Sequence, residues 1–326
     1  MIKKLVAFLI SAAMIASLVA CSQSSAEVNK EKKETKTTEN KTVESDKKPA
    51  KVDTLVIAYL PNESKEDLSE SRKGAAADME KALGVKVKEF LASDYNATIE
   101  AMRTGKADLA FFGPLSYSQA HERAKAEPLV APAQDRDKSK AGYYSYLITS
   151  AKNDKIKSIA DLKGKKFAFV DANSTSGNLV PSYEILKAIK DDKLTFEDLH
   201  TNGKFFESVS FSGAHQNGLQ AVLKGDIDAA PCASDIFQRE LNAKKFNESD
   251  IKIIHKSPMI PQSPIAIRSD LPEELKKAVK DFYLKYDNDD YFKKFIGQKD
   301  GQKLRFIEVN DDFYKEIHDL RKKFGL

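Results

Sequence analysis

Residues 167–177 read Phe-Ala-Phe-Val-Asp-Ala-Asn-Ser-Thr-Ser-Gly, and a run with helical spacing follows them. The apolar start predicts a strand over 166–171, and the spacing of apolar residues over 176–189 predicts a helix. A strand, a short polar turn and a helix form one βα unit. Because the same order recurs along the chain, the sequence predicts an α/β fold of βαβ units on mainly parallel sheets.

The turn of this unit contains three adjacent hydroxyl residues, Ser174, Thr175 and Ser176. The first turn of a helix has free N–H groups and the positive end of the helix dipole, which together favour an anion. The hydroxyls add neutral donors without a full countercharge. Ordinary N-capping is the alternative, although capping needs one hydroxyl and this turn has three.

Further elements are predicted along the chain after residue 53, with no tandem repeat among them. Strands are predicted over 54–60, 85–92, 108–113, 129–134, 144–150, 207–212, 227–232, 251–255 and 264–268. Helices are predicted over 66–83, 97–104, 116–125, 215–224, 235–243, 272–286 and 312–324.

Two extended stretches divide this region. One is the predicted strand near 143–148, and the other, over 256–267, contains three prolines. If the chain crosses between two lobes at both stretches, the second lobe is inserted into the first, and a ligand site is expected in the cleft between them. One continuous sheet is the alternative. The predicted lobes are 53–144 with 262–326, and 145–261.

A second polar turn precedes the helix predicted over 215–224. Gly213 permits a tight turn there, and His215 opens the helix, where its imidazole can donate a hydrogen bond to an oxyanion. A lone histidine more often has a structural role on the surface or in the core, and both roles stay open at this point.

The first 21 residues have the character of a secretory signal. Two lysines precede an uncharged stretch from Leu5 to Ala20, and Cys21 follows directly. A transmembrane anchor is the alternative, for which this length is marginal. The end of the stretch, Leu-Val-Ala-Cys, resembles a bacterial lipoprotein signal. That resemblance implies removal of residues 1–20 and acylation of Cys21, which would hold the protein on a membrane.

Residues 21–52 form a polar segment after this signal. Apart from a few small apolar residues, it is nearly all Ser, Glu, Asn, Lys and Thr, and it has no aromatic residue. Such a composition cannot bury enough apolar surface to offset the entropy of ordering, which predicts a solvated, lipid-anchored tether. A weak helix is the alternative.

Composition excludes several classes of protein. The 326 residues have 53 basic and 49 acidic side chains, and this near balance provides no basic field for nucleic acid. Two cysteines rule out a disulfide scaffold or a four-thiolate zinc site. With Cys21 acylated, Cys232 would have no disulfide partner, so it is predicted to be a small buried hydrophobe.

Several segments, in matching order and spacing, resemble one family, the PhnD-like phosphate/phosphite/phosphonate-binding proteins, which are extracytoplasmic solute receptors of ABC importers. The segments are 92–95, 107–117, 142–145, 173–181, 213–215 and 256–261. The resemblance implies a type II periplasmic-binding-protein fold, two α/β lobes that close over a ligand. It also implies an ABC transporter permease as partner and a small phosphorus oxyanion as ligand.

The same resemblance places individual residues around the ligand. The hydroxyl turn would hold the phosphonyl oxygens, the histidine would donate to the same group, and the tyrosines would close the cleft around it. The residues so placed are Ser174, Thr175, Ser176, His215, Tyr95, Tyr143 and Asp235.

One position departs from the family pattern. In members that take aminoalkyl phosphonates, two carboxylates bind the ligand's amine; Asp235 matches one, and Ser263 stands at the other. The departure argues against an aminoalkyl phosphonate ligand. One carboxylate could still accept a proton from a protonated oxyanion or pair weakly with an amine.

Enzyme classes find little support in the sequence. It has no Gly-x-Ser-x-Gly elbow, no phosphate-binding P-loop and no Gly-x-Gly-x-x-Gly, so neither a cofactor nor a metal is expected. Three alternatives to such a receptor remain. The first is a binding protein of the same fold for a different small solute, and the second is one that reports to a membrane sensor. A secreted hydrolase using Ser176 and His215 is the third.

Overall fold

A computed structural model describes residues 52–326. The predicted signal segment 1–20, Cys21 and the tether up to residue 51 lie outside the described residues. Within 52–326, no helix combines the length and the hydropathy that a membrane span requires.

The strands, in chain order, are β1 (Thr54–Tyr59), β2 (Lys86–Leu91), β3 (Leu109–Phe111), β4 (Ala126–Gln134), β5 (Gly142–Tyr143), β6 (Ser145–Ser150), β7 (Lys166–Phe169), β8 (Ser208–Phe211), β9 (Ala229–Ala233), β10 (Ile251–Lys256), β11 (Ile260–Pro261), β12 (Ile265–Arg268) and β13 (Leu304–Glu308). The α-helices are α1 (Ser69–Leu83), α2 (Tyr95–Arg103), α3 (Pro114–Ala124), α4 (Val180–Ile189), α5 (Phe196–Leu199), α6 (His215–Lys224), α7 (Ser234–Asn242), α8 (Glu273–Lys285), α9 (Asp289–Tyr291) and α10 (Lys315–Phe324). Two π-helical turns are Thr175–Leu179 and Phe292–Ile296.

The strands form two separate main sheets. The first has the order β13-β4-β12-β3-β1-β2, and the second has the order β10-β6-β9-β7-β8. Each sheet packs against its own helices, and we call the resulting α/β halves the first lobe and the second lobe. The structure has two main sheets, so the alternative of one continuous sheet is wrong. Every predicted strand and helix has a counterpart, whereas the strands β5, β11 and β13 and the short helices α5 and α9 were not predicted.

The prediction of mainly parallel sheets is wrong, because both sheets are mixed. β1 runs parallel to β2 and β3, and β7 runs parallel to β8 and β9. In contrast, β12 is antiparallel to β3 and β4, and β6 is antiparallel to β9 and β10. The reason is that β6 and β12 enter their sheets straight from an extended crossing segment, without the helical crossover that parallel pairing requires.

The two crossing segments lie side by side. β5 and β11 pair antiparallel, with Tyr143 opposite Ile260 and Gly142 opposite Pro261. A β-carbon at Gly142 would overlap the side chain of Met259, so glycine permits this close approach. Such paired segments between two rigid lobes are suited to hinge motion. In the second lobe, Cys232 is fully buried, as predicted.

Candidate functional site

A cavity of about 60 Å³ lies between the two lobes. Most of its lining comes from segments at or just after the carboxyl ends of β1, β2, β3, β7, β8 and β9. Ligands of open α/β sheets bind outside the carboxyl ends of the strands, where loops and helix starts converge. The site therefore lies where the topology favours a ligand.

All the residues predicted for the site line this one cavity. They are Ser174, Thr175, Ser176, His215, Tyr95, Tyr143 and Asp235, and Ser263 lines it as well. These residues are far apart in sequence, and the packing of the two lobes against each other brings them together.

The hydroxyl turn is fixed by its own local bonds. The Ser174 hydroxyl caps the π-helical turn by accepting the N–H of Gly177 at 3.0 Å. A β-carbon at Gly177 would overlap the side chain of Val170, so only glycine lets the turn lie this close to the end of β7. One of the three hydroxyls is thus an ordinary N-cap, and the hydroxyls of Thr175 and Ser176 are not used for capping.

Thr175 connects the two lobes. Its hydroxyl oxygen accepts the backbone N–H of Leu115, in the first turn of α3, at 2.8 Å. Thr175 is 1% exposed, so this N–H would be unsatisfied without it. The residue therefore contributes to closure as well as to the lining.

Ser176 and His215 form a hydrogen-bonded pair, with Ser176 Oγ 3.2 Å from His215 Nε2. On its other side, His215 Nδ1 accepts the backbone N–H of Ala233 at 3.2 Å. Because a backbone N–H can only donate, Nδ1 carries no proton and the neutral ring carries its proton on Nε2. His215 therefore presents a donor to the cavity.

Burial keeps this imidazole neutral, since it lowers the pKa of His215 to about 3. The same geometry argues against the hydrolase alternative. A general base must accept the serine proton on Nε2, but here Nε2 donates, and the ring is far too weak a base near neutral pH.

The tyrosines also act as neutral donors. Burial raises the pKa of Tyr95 and that of Tyr143 well above their usual range, so both hydroxyls keep their protons. The Tyr95 hydroxyl accepts a hydrogen bond from Asn62 Nδ2 at 2.5 Å, which leaves its proton for another acceptor. Tyr143, on β5, lies beside the hydroxyls of Thr175 and Ser176.

Three helices begin at the cavity at N-cap residues whose own side chains provide no cap, α3 after Gly113, α6 after Ala214 and α7 after Ala233. Their amino ends add positive dipole potential. An anion here would therefore meet neutral donors and helix dipoles on several sides.

Asn62 is a site residue that the sequence reasoning missed. Its side chain accepts the backbone N–H of His215 at 3.0 Å, and its carbonyl accepts from Gln216 and from Arg239. Asn62 belongs to the first lobe and these partners to the second, so its loop joins the lobes at the cavity. Its position just after β1 was the only available signal.

The second missed feature is a charged group formed by Glu63 and Arg239 beside Asp235. Arg239 Nη1 lies 3.6 Å from Glu63 Oε1, and both side chains line the cavity. Burial raises the pKa of Glu63 to about 7, although Arg239 opposes the shift. Burial also raises the pKa of Asp235. Arg239 lies one helical turn after Asp235 on α7, a spacing that could have identified it.

The geometry defines a two-lobed binding protein with a site for a small anion. In the described range 52–326, no group of three or more His, Cys, Asp or Glu side chains could hold a metal ion. Comparison with known proteins agrees with this class. Residues 57–314 match the family described as "ABC transporter, phosphonate, periplasmic substrate-binding protein".

Three relatives illustrate the match. The chain is 33% identical over 236 residues to the "Phosphonates-binding periplasmic protein" of Escherichia coli K12, covering 71% of this chain and 66% of that protein. It is 32% identical to the "Phosphate-import protein PhnD" of Mycolicibacterium smegmatis, covering 71% of each. A crystal structure of a binding protein component of an ABC phosphonate transporter from Pseudomonas aeruginosa is 28% identical, with a TM-score of 0.70 over 84% of this chain and 87% of that one.

The chain therefore belongs to the family of periplasmic substrate-binding proteins of phosphonate ABC transporters. This confirms the family, the fold and the class of binding protein rather than enzyme that the sequence resemblance implied.

Proposed function

We propose that this protein captures a small tetrahedral phosphorus oxyanion, a phosphonate, phosphite or phosphate, and delivers it to the permease of an ABC importer. One observation carries the proposal: the hydroxyl turn 174–176, the Nε2–H of His215 and two protonated tyrosines line the same cavity between the lobes. Neutral donors in a site removed from water suit an oxyanion, since each hydrogen bond to a charged group is strong there.

Closure of the two lobes would be the capture step. The proposed lobes are 53–144 with 262–326, and 145–261, with the hinge at β5 and β11. A ligand that contacts both lobes stabilises the closed form by its differential affinity for that form. The bridges from Thr175 to Leu115 and from Asn62 to His215 support this, because both require the closed arrangement.

The amino-terminal segment would keep the protein outside the cytoplasm and on the membrane. Removal of residues 1–20, acylation of Cys21 and the polar tether would let the folded part reach its permease. In membrane fractionation, Cys21→Ala should move the protein from the membrane to the soluble fraction. A variant that stays with the membrane would contradict the lipid anchor.

A thermal-shift series tests the ligand class with phosphate, phosphite, methylphosphonate, aminoethylphosphonate and sulfate. A ligand that binds only the folded protein raises the melting temperature by mass action. At least one phosphorus oxyanion should do so. If none does while another solute does, the protein is a binding protein of the same fold for a different ligand.

A matched pair of variants then tests the site. Ser176→Ala should weaken phosphonate binding by about 30-fold, because it removes a hydroxyl donor to a charged group worth about 2 kcal/mol. Ser182→Ala is the control, since Ser182 is also buried beyond the same turn and its hydroxyl has no partner within residues 52–326. Equal affinity in the two variants would contradict the site.

A further inference from the structure

The cavity contains two carboxyl groups and one cation. Glu63 reaches it from the loop after β1, and Asp235 and Arg239 reach it from α7; these are the charged side chains lining the cavity within the described chain. The His215 ring is neutral and the tyrosines keep their protons. With both carboxyls ionised the cavity would have a net charge of −1, which opposes any anion.

Arg239 cannot neutralise both carboxyls. Its Nη1 donates to the carbonyl of Phe295 at 3.0 Å and its Nη2 to the carbonyl of Asn62 at 2.9 Å. Glu63 lies 3.6 Å away and Glu240 lies 4.0 Å from Nε, which has no hydrogen-bond partner in the described residues. The guanidinium is thus held by carbonyls, and its charge is shared among several acids.

Charged groups on other elements do not change this balance. Arg72 on α1 donates to the Glu63 carbonyl, but its Nε is paired with Glu89. Asp171, after β7, faces Tyr95 and adds further negative charge nearby. A carboxyl here relieves the repulsion of an arriving anion by taking a proton from the solvent.

Resting on the proposed function, we propose that the Glu63–Asp235 pair takes up one proton when a phosphorus oxyanion binds, so that Glu63 sets the pH dependence of affinity. The proton comes from the buffer and ends on a carboxylate oxygen of the pair. Two interacting acids titrate as a unit, so the proton belongs to the pair and not to one residue. An oxyanion in the cavity favours the protonated form, and protonation in turn favours the oxyanion.

Titration calorimetry with methylphosphonate at pH 8, in two buffers of different ionisation enthalpy, counts the protons taken up. Wild type should take up about one proton more than Glu63→Gln. Above pH 7 the wild-type affinity should fall more steeply, by up to an additional tenfold per pH unit. The ligand's own ionisation contributes equally to both proteins, so their difference isolates the carboxyl pair.

Two further variants make the test decisive. Glu66→Gln, at an exposed glutamate, should behave as wild type. Asp235→Asn should lose the same proton uptake, and it replaces Glu63→Gln in the test if Glu63→Gln does not fold. Equal proton counts and pH slopes in wild type and the folded variants would overturn the inference. Absence of binding to every phosphorus compound would instead overturn the proposed function.

Discussion

The two sides of the cavity are built differently. The hydroxyl turn 174–176 is a local structure, since Ser174 caps its own turn and Gly177 fits it against the preceding strand. The opposite side, with Asn62, Glu63 and Arg239, is assembled from two lobes and exists only when they close. We therefore expect the turn to contribute mainly to affinity and the assembled side to contribute mainly to closure.

The largest expected effect tests the local side. His215→Ala removes a neutral donor to the oxyanion and the partner of Ser176, so methylphosphonate affinity should fall on the order of 100-fold. Calorimetric titration measures it. His255→Ala is the control, because His255 pairs with Glu184 and does not line the cavity. Similar losses in both variants would contradict the role of His215 as a donor to the ligand.

A pair of glycine substitutions tests whether the turn is locally fixed. Gly177→Ala forces a β-carbon into Val170 and should lower the free energy of unfolding by about 1–3 kcal/mol. Gly74→Ala, on α1 with no atom within 4 Å of the added carbon, should raise it by about 0.5–1 kcal/mol. Urea unfolding measures both. A neutral Gly177→Ala would contradict the close fit of the turn.

Substitutions of Thr175 test the contact between the hydroxyl turn and the other lobe. Thr175→Val keeps the shape but leaves the Leu115 N–H unsatisfied in the closed form, so affinity should fall by about tenfold. Thr175→Ser keeps the acceptor and should restore most of the affinity. Small-angle scattering should show that the valine variant populates the open form more than wild type. If the valine variant and wild type gave equal scattering and equal affinity, Thr175 would have no role in closure.

The smallest effect is a pair of opposite pH trends in the stability of the closed form. Glu63 has its pKa raised from 4.5 to about 7 by folding, so its contribution is present below pH 4.5 and is lost as pH rises through 7. His215 has its pKa lowered from 6.5 to about 3, so its contribution is lost as pH falls below 6.5.

Thermal unfolding of two variants should show these trends as shifts of a few degrees. The melting temperature of Glu63→Gln should improve relative to wild type as pH rises from 4.5 to 8. That of His215→Ala should improve relative to wild type as pH falls from 6.5 to 4.5. Parallel curves for a variant and wild type would contradict the corresponding shift.

Much of the site could be predicted from the sequence because its parts are local signals. The hydroxyl turn follows a strand and begins a helix within eleven residues, and the family resemblance placed Tyr95, Tyr143 and Asp235. Asn62 and Glu63 were missed because a polar pair after a strand resembles any loop until the other lobe packs on it. The second carboxylate of the cavity comes from Glu63, whereas Ser263 stands where the family pattern has an acid.

The direction in which the strands pair could not be predicted from local sequence signals either. The sequence shows strands alternating with helices, which favours parallel pairing, but β6 and β12 enter antiparallel from the crossing segments. Periodicity specifies which residues face the core, and it contains no information on the direction in which a strand joins its neighbours.

By itself, the sequence determined the α/β elements, the family and the donors of the hydroxyl turn, because these depend on contacts between residues close along the chain. Only the tertiary structure decided the tautomer of His215, the lobe bridge at Thr175 and the sharing of one arginine by two carboxyls. Those features arise from groups that are distant in sequence, and burial sets their proton affinities only when the lobes exclude water together.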